Sequence, residues 1–98
     1  MYDVQLTKQA EKDAIFIERA GLKPKVAELI GIVRVNPFQN PPEYEALKGD
    51  RKGSYSRRVN KQHRFVYEVL PNINNATDAN NKPYEGTVKI IRMWTHYD

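Results

Sequence analysis

The sequence predicts an α+β domain in which an N-terminal strand and two helices pack on one face of a small antiparallel sheet. Three observations carry that expectation. A short strand-like run, Tyr2 to Leu6, comes first. Two segments with apolar residues at helical spacing follow it. Three further strand-like runs complete the chain: Tyr55 to Val59, His63 to Leu70 and Val88 to Trp94. The order β-α-α-β-β-β keeps both helices on one side of the sheet and leaves the other face for a ligand.

Each element has a local cause. Thr7 can cap the first helix through its hydroxyl. Ala10, Ala14 and Ile17 recur there at helical spacing, and Gly21 ends the run. Pro24 suits the first turn of the second helix. Val26, Leu29, Ile30 and Val33 fall at i, i+3, i+4 and i+7, a stripe of core residues, and Asn36-Pro37 stops it. Asn36 to Tyr44 is a proline-rich connection with Pro37, Pro41 and Pro42, and Glu45-Ala46-Leu47-Lys48-Gly49 follows. The second and third strand runs join through a tight turn at Asn60-Lys61-Gln62. Residues 71–87, rich in asparagine, read as an extended, mobile hairpin loop within one domain.

At 98 residues the chain reads as a single domain, 1–98. Forty per cent hydrophobic and 29% charged residues are ordinary for a soluble globular protein. The absence of cysteine excludes a disulfide framework and a thiolate metal site. No apolar run approaches a membrane span, and Met1-Tyr2-Asp3-Val4-Gln5 carries no signal-peptide pattern, so the expectation is a cytoplasmic protein with no membrane partner.

The formal net charge is +4, from 16 Lys and Arg against 12 Asp and Glu, which suits a polyanion or an acidic protein. The charge is concentrated. Lys48, Arg51, Lys52, Arg57, Arg58, Lys61 and Arg64 lie within one segment, opposed only by Asp50, with Tyr55 and His63 interleaved. Cations and rings in this pattern suit nucleic acid; a solvated strand surface is the plain alternative. If the turn is Asn60 to Gln62, Val59 faces His63, Arg58 faces Arg64 and Arg57 faces Phe65. Two arginines directly opposed are unfavourable unless an anion sits between them. After the last strand come His96 and Tyr97. Histidine exchanges protons near neutral pH, and at a strand tip it suggests a site; a surface histidine near the chain end is the alternative.

Four ordered blocks are recognisable: Pro42-Glu43-Tyr44-Glu45-Ala46-Leu47-Lys48-Gly49, Gly53-Ser54-Tyr55-Ser56-Arg57-Arg58-Val59, His63-Arg64-Phe65-Val66-Tyr67 and Trp94-Thr95-His96-Tyr97. Together they resemble the Txe/YoeB toxins of the RelE/ParE toxin–antitoxin superfamily, and the resemblance covers nearly the whole chain. It implies a RelE-like fold and a ribosome-dependent endoribonuclease that cuts messenger RNA in the A site of the 70S ribosome, with no cofactor. It also implies an acidic, Phd/YefM-like antitoxin as partner, with operator DNA reached only through that antitoxin. By the same resemblance Glu45 matches the general base, Arg64 the transition-state arginine and His96 the general acid. Lys48, Arg58 and Tyr97 match supporting substrate-binding positions.

The residue types suit this chemistry on their own. Cutting RNA without a metal needs a base for the 2′-hydroxyl, cations for the phosphate and an acid for the departing 5′-oxygen. A glutamate, an arginine cluster and a histidine supply that set, and the product would carry a 2′,3′-cyclic phosphate. Glu43 competes with Glu45 for the role of base. Two histidines, no cysteine and no close His-x-x-x-His pair argue against a metal site. Two other classes stay open: a same-fold toxin that binds a protein, as the ParE branch binds gyrase, and a non-catalytic partner in an antitoxin–DNA repressor complex. An acid–base pair favours the first reading, because a gyrase binder has no use for one.

Overall fold

The computed structural model describes residues 1–72 and 75–95. The elements run β1 (Asp3–Leu6), α1 (Lys8–Arg19), α2 (Lys23–Val35), β2 (Tyr44–Ala46), a single 3-10 turn (Gly49–Arg51), β3 (Ser54–Arg58), β4 (Arg64–Leu70) and β5 (Thr87–Arg92). The strands form one five-stranded sheet in the order β1-β5-β4-β3-β2.

Both helices form for the reasons their sequences give. The Thr7 hydroxyl accepts from the amide of Ala10 at 3.1 Å, so one of the orphan donors of the first turn is satisfied. Gly21, at a φ of 73°, closes the turn after α1 in the left-handed conformation that glycine adopts without penalty. In α2, Val26, Leu29 and Val33 are buried, and Pro24 occupies the first turn. These residues meet Ala10 and Ile17 of α1 and Phe65, Tyr67, Val88 and Ile90 of the sheet in one hydrophobic core. Both helices therefore cover the same face, as expected. Among the described residues no helix is long and apolar enough to cross a membrane.

The sheet departs from expectation in two places. It is mixed: β1 pairs with β5 in parallel, Val4 opposite Val88 and Leu6 opposite Ile90, while β2–β3, β3–β4 and β4–β5 are antiparallel. A parallel pair needs a long crossover, and here nearly the whole chain supplies it. The connection after α2 also ends in a strand that its composition hides. Tyr44, Glu45 and Ala46 pair with Arg57, Ser56 and Tyr55 as the edge strand β2. Three residues beside prolines are too few to show a period.

The last strand stops at Arg92 and not at Trp94, because the amides of Met93 and Trp94 leave the ladder for the carboxylate of Asp13. The segment between β4 and β5 is held by its own polar side chains. Asn72 bonds the backbone of Ala76 twice and that of Tyr84 once, and Asp78 accepts the amides of Asn80 and Lys82. A bridge joins Thr77 to Pro83. Where this hairpin rejoins the sheet, Gly86 lies so close to β4 that a Cβ would stand 2.6 Å from the Leu70 carbonyl oxygen.

Candidate active site

The face of the sheet away from the helices is built by the β3–β4 hairpin. The Asn60 side-chain oxygen accepts the amides of Gln62 and His63, closing the turn as the sequence proposes. The resulting register sets Arg57 opposite Phe65 and Arg58 opposite Arg64. Alternation then separates the two adjacent arginines. Arg57 turns inward with Phe65 and is fully buried, whereas Arg58 points outward and is exposed.

β2 completes the outward face. Glu45 is the cross-strand partner of Ser56, which lies two residues before Arg58 on the same side of β3. One face thus carries Glu45, Arg58 and Arg64. They line an open cleft of about 950 Å³, together with Glu43, Lys61 and, from α2, Lys25. The lining holds five basic residues (Lys25, Arg57, Arg58, Lys61, Arg64) against two acidic ones (Glu43, Glu45), so its field draws an anion. The Arg58–Arg64 pair points the same way. Like charges directly across a ladder destabilise it, and an anion bound between two guanidinium forks would reverse that sign.

Arg57 supports this face from beneath. Its guanidinium donates to the carbonyls of Pro42, Pro37 (3.0 Å) and Gln39 (2.9 Å) and, through Nε, to the Tyr67 hydroxyl (3.1 Å). The Tyr67 hydroxyl in turn donates to Pro37 at 2.6 Å. Burial pushes the Tyr67 phenol above its usual pKa, and the neighbouring Arg57 charge and hydrogen bond oppose part of that rise. The guanidinium lies 4.9 Å from the centre of the Tyr44 ring. Tyr44, Phe38, Tyr55 and Tyr67 close an aromatic cluster around it. The proline-rich connection is thereby fastened to β3 and β4 immediately before it delivers Glu43 and Glu45.

A second buried charge fastens the chain where it leaves β5. Asp13 of α1 is 1% exposed. Its Oδ2 accepts from Arg92 Nε at 2.9 Å, Met93 N at 3.0 Å and Trp94 N at 3.2 Å, and its Oδ1 from Gln9 at 3.0 Å. Burial pushes the Asp13 carboxyl up, but the bonds from Met93, Arg92, Gln9 and Trp94 outweigh it and hold the group below its usual range. Trp94 stacks with two rings, Phe16 at 5.9 Å and His63 at 3.7 Å. His63 is accordingly buried at the hairpin corner and packs there. The carbonyl of Thr95 accepts from the amide of Arg64 at 3.1 Å.

Residues 6–97 match the family described as the YoeB-like toxin of bacterial type II toxin–antitoxin systems. The chain belongs to the YoeB toxin family. Toxin YoeB of Mycobacterium bovis is 33% identical over 71 residues, 70% of this chain and 84% of that protein. Toxin YoeB of Escherichia coli K12 is 42% identical over 45 residues, 46% of this chain and 54% of that one. Among solved structures, the YoeB/ParE toxin from Agrobacterium tumefaciens superposes with a TM-score of 0.74 at 29% identity, covering 97% of this chain and 99% of that one. The Staphylococcus aureus YoeB-YefM complex gives 0.69 at 26% identity, covering 99% of each chain. Toxin YafQ of E. coli, at 18% identity and a TM-score of 0.70, shares the fold.

Of the positions expected from the YoeB resemblance, Glu45, Arg58 and Arg64 share the cleft. Lys48 is exposed at the start of the 3-10 turn, outside the lining. His96 and Tyr97 lie outside the described residues. Among the described residues, no group of three or more His, Cys, Asp or Glu side chains is placed to hold a metal ion. The roles of Arg57 and Asp13 are not apparent from the sequence. Signals for both exist there: Asp13 falls three residues after Ala10 and four before Ile17, on the buried stripe of α1, and Arg57 falls opposite Phe65 in the expected hairpin.

Proposed function

We propose that this YoeB-family toxin is a metal-independent endoribonuclease that cuts messenger RNA in the ribosomal A site and so stops translation. The observation that carries this reading is the outward face of the hairpin, where Arg58 stands directly opposite Arg64 and Glu45 lies along the same side of the sheet. In the proposed reaction Glu45 takes the proton of the 2′-hydroxyl. The 2′-oxygen attacks the adjacent phosphorus while Arg58 and Arg64 stabilise the charge that develops on the phosphate. His96 protonates the departing 5′-oxygen, leaving a 2′,3′-cyclic phosphate. Lys48 and Tyr97 assist in holding the substrate.

Glu45 is preferred to Glu43 because it lies within β2, in register with the face that carries Arg58, whereas Glu43 precedes the strand. The bond between Thr95 and the Arg64 amide supports the role given to His96, the next residue in sequence. The basic cleft also suits an acidic antitoxin that covers it until released. The likeness to the S. aureus toxin, solved as a YoeB-YefM complex, supports a YefM-like partner.

Primer extension on a translated message, with purified toxin and ribosomes, tests the proposal. The expected result is cleavage within the codon in the A site, only when the message is being translated. A message with a 2′-deoxy sugar at the scissile nucleotide should resist; cutting of that message would exclude 2′-attack. His96→Gln should abolish cleavage while the protein stays folded, and a fully active variant would remove the acid role.

A further inference from the structure

The chemistry proposed above makes no use of Asp13, yet this buried group has more defined partners than any carboxylate of the cleft. Taking a carboxylate out of water is costly unless donors replace the lost hydration. Here four donors do so, and three of them come from residues about eighty positions later in the chain: the Arg92 side chain and the amides of Met93 and Trp94. Ending a strand at the surface needs no such group, because water would satisfy the freed amides. α1 instead supplies a fixed acceptor at the point where the backbone leaves the ladder.

The same stretch is held in three other ways. Arg92 Nη2 donates to the Trp94 carbonyl at 2.9 Å. The Trp94 ring stacks with Phe16 and with His63. The Thr95 carbonyl takes the Arg64 amide. Four consecutive residues, 92 to 95, are thus fixed relative to α1 and β4, and His96 comes next.

We propose that Asp13 is a positioning residue: by fixing residues 92–95 against α1 and β4, it sets where His96 and Tyr97 are delivered relative to the Arg58–Arg64 pair. The proposal rests on the reading of His96 as the general acid, and it deepens that reading by naming what orients the acid. Asp13 touches no substrate. Its influence passes through backbone amides, so its charge and geometry both matter. Asparagine at this position has one acceptor oxygen, and with that oxygen kept on the Arg92, Met93 and Trp94 donors its NH2 group faces the Gln9 side-chain amide.

The test uses the full chain and three readouts: single-turnover cleavage on programmed ribosomes, ribosome affinity, and the NMR ring resonances of His96 assigned by comparison with His96→Gln. Asp13→Asn should slow cleavage roughly 100-fold, the scale on which a displaced catalytic group loses rate. Ribosome affinity should stay within about twofold, and the His96 resonances should shift. Val33→Ala lowers stability from α2, which makes none of the hydrogen bonds that hold residues 92–94, and should leave both rate and resonances unchanged, separating positioning from general destabilisation.

Gln9→Ala and Arg92→Lys each disturb one bond to Asp13 and serve if Asp13→Asn fails to fold. Both should move the same resonances and slow cleavage by less. Folded variants with unaltered His96 resonances and wild-type rates would overturn the proposal. If His96→Gln itself cuts normally, the acid role fails; the resonance shift then still decides whether Asp13 places the segment.

Discussion

Two stretches of chain, the one before β2 and the one after β5, are fastened by buried charges of opposite sign, and the sign in each case follows from the backbone that needs a partner. Before Glu45 the chain runs through Pro37, Pro41 and Pro42, which have carbonyls but no amide hydrogens. Such a loop is short of donors, and the group that meets it is Arg57, with five N–H donors in a rigid fork. Before His96 the backbone leaves the β5 ladder and strands two amides. That stretch is short of acceptors, and the group that meets it is Asp13. Each completes an unbalanced piece of main chain, and Asp13 also pairs with the Arg92 guanidinium. Arg58, one residue from Arg57, shows the contrast within a single strand. The inward arginine is committed to structure and the outward one is left to face solvent.

The comparison can be broken most severely at Arg57. Arg57→Met should cost about 3 kcal/mol or more, because the Pro42 and Gln39 carbonyls lose their donor at roughly 1–3 kcal/mol each and Pro37 keeps only the Tyr67 hydroxyl; urea denaturation measures it. Arg57→Lys should recover little of the loss, since an ammonium group lacks the fork that spans Pro37, Gln39 and Pro42. The outward arginines should behave in the opposite way. Arg58→Ala or Arg64→Ala should lower single-turnover cleavage roughly 10²–10³-fold. For exposed Arg58 the unfolding free energy should stay within about 0.5 kcal/mol. A stability loss at Arg58 as large as that at Arg57 would erase the distinction.

A smaller effect is expected at Tyr67. Tyr67→Phe removes the hydroxyl that donates to Pro37 and accepts from Arg57, and should cost about 1–3 kcal/mol in the same denaturation assay with the fold intact.

The smallest effect is the pH response of Asp13, in which burial offsets part of what its hydrogen bonds contribute. Its carboxyl is held below the ordinary range in the folded state. Its stabilising contribution is therefore full above the unfolded value, about 3.9, and is lost as pH falls from there through the lower folded value. Acid titration of stability should show this component in the wild type and not in Asp13→Asn.

Much of this arrangement is legible in the sequence, and the parts that are not share a cause. The capped helix at Thr7, the stripe from Val26 to Val33 and the hairpin around Asn60 are local patterns, readable from spacing alone. A three-residue turn is enough to set Arg58 opposite Arg64, so that pair follows from the hairpin itself. What stays hidden depends on residues far apart in the chain. β2 is too short to show a period, and it is a strand only because β3 offers it an edge. The parallel pairing of β1 with β5 joins positions more than eighty residues apart, and no window along the sequence contains both. Asp13 and Arg57 look like surface charges until their partners, about eighty and up to twenty residues away, are known.

That parallel pairing has a consequence for synthesis. β5, the strand latest in the sequence, is inserted between β1 and β4. A nascent chain that has exposed only residues 1–86 holds a lone first strand and a three-stranded remnant, with no ladder between them. Contacts of such long sequence separation form late, because the intervening chain must be closed first. The stretch that leads into His96 is therefore fixed only once the final strand has emerged.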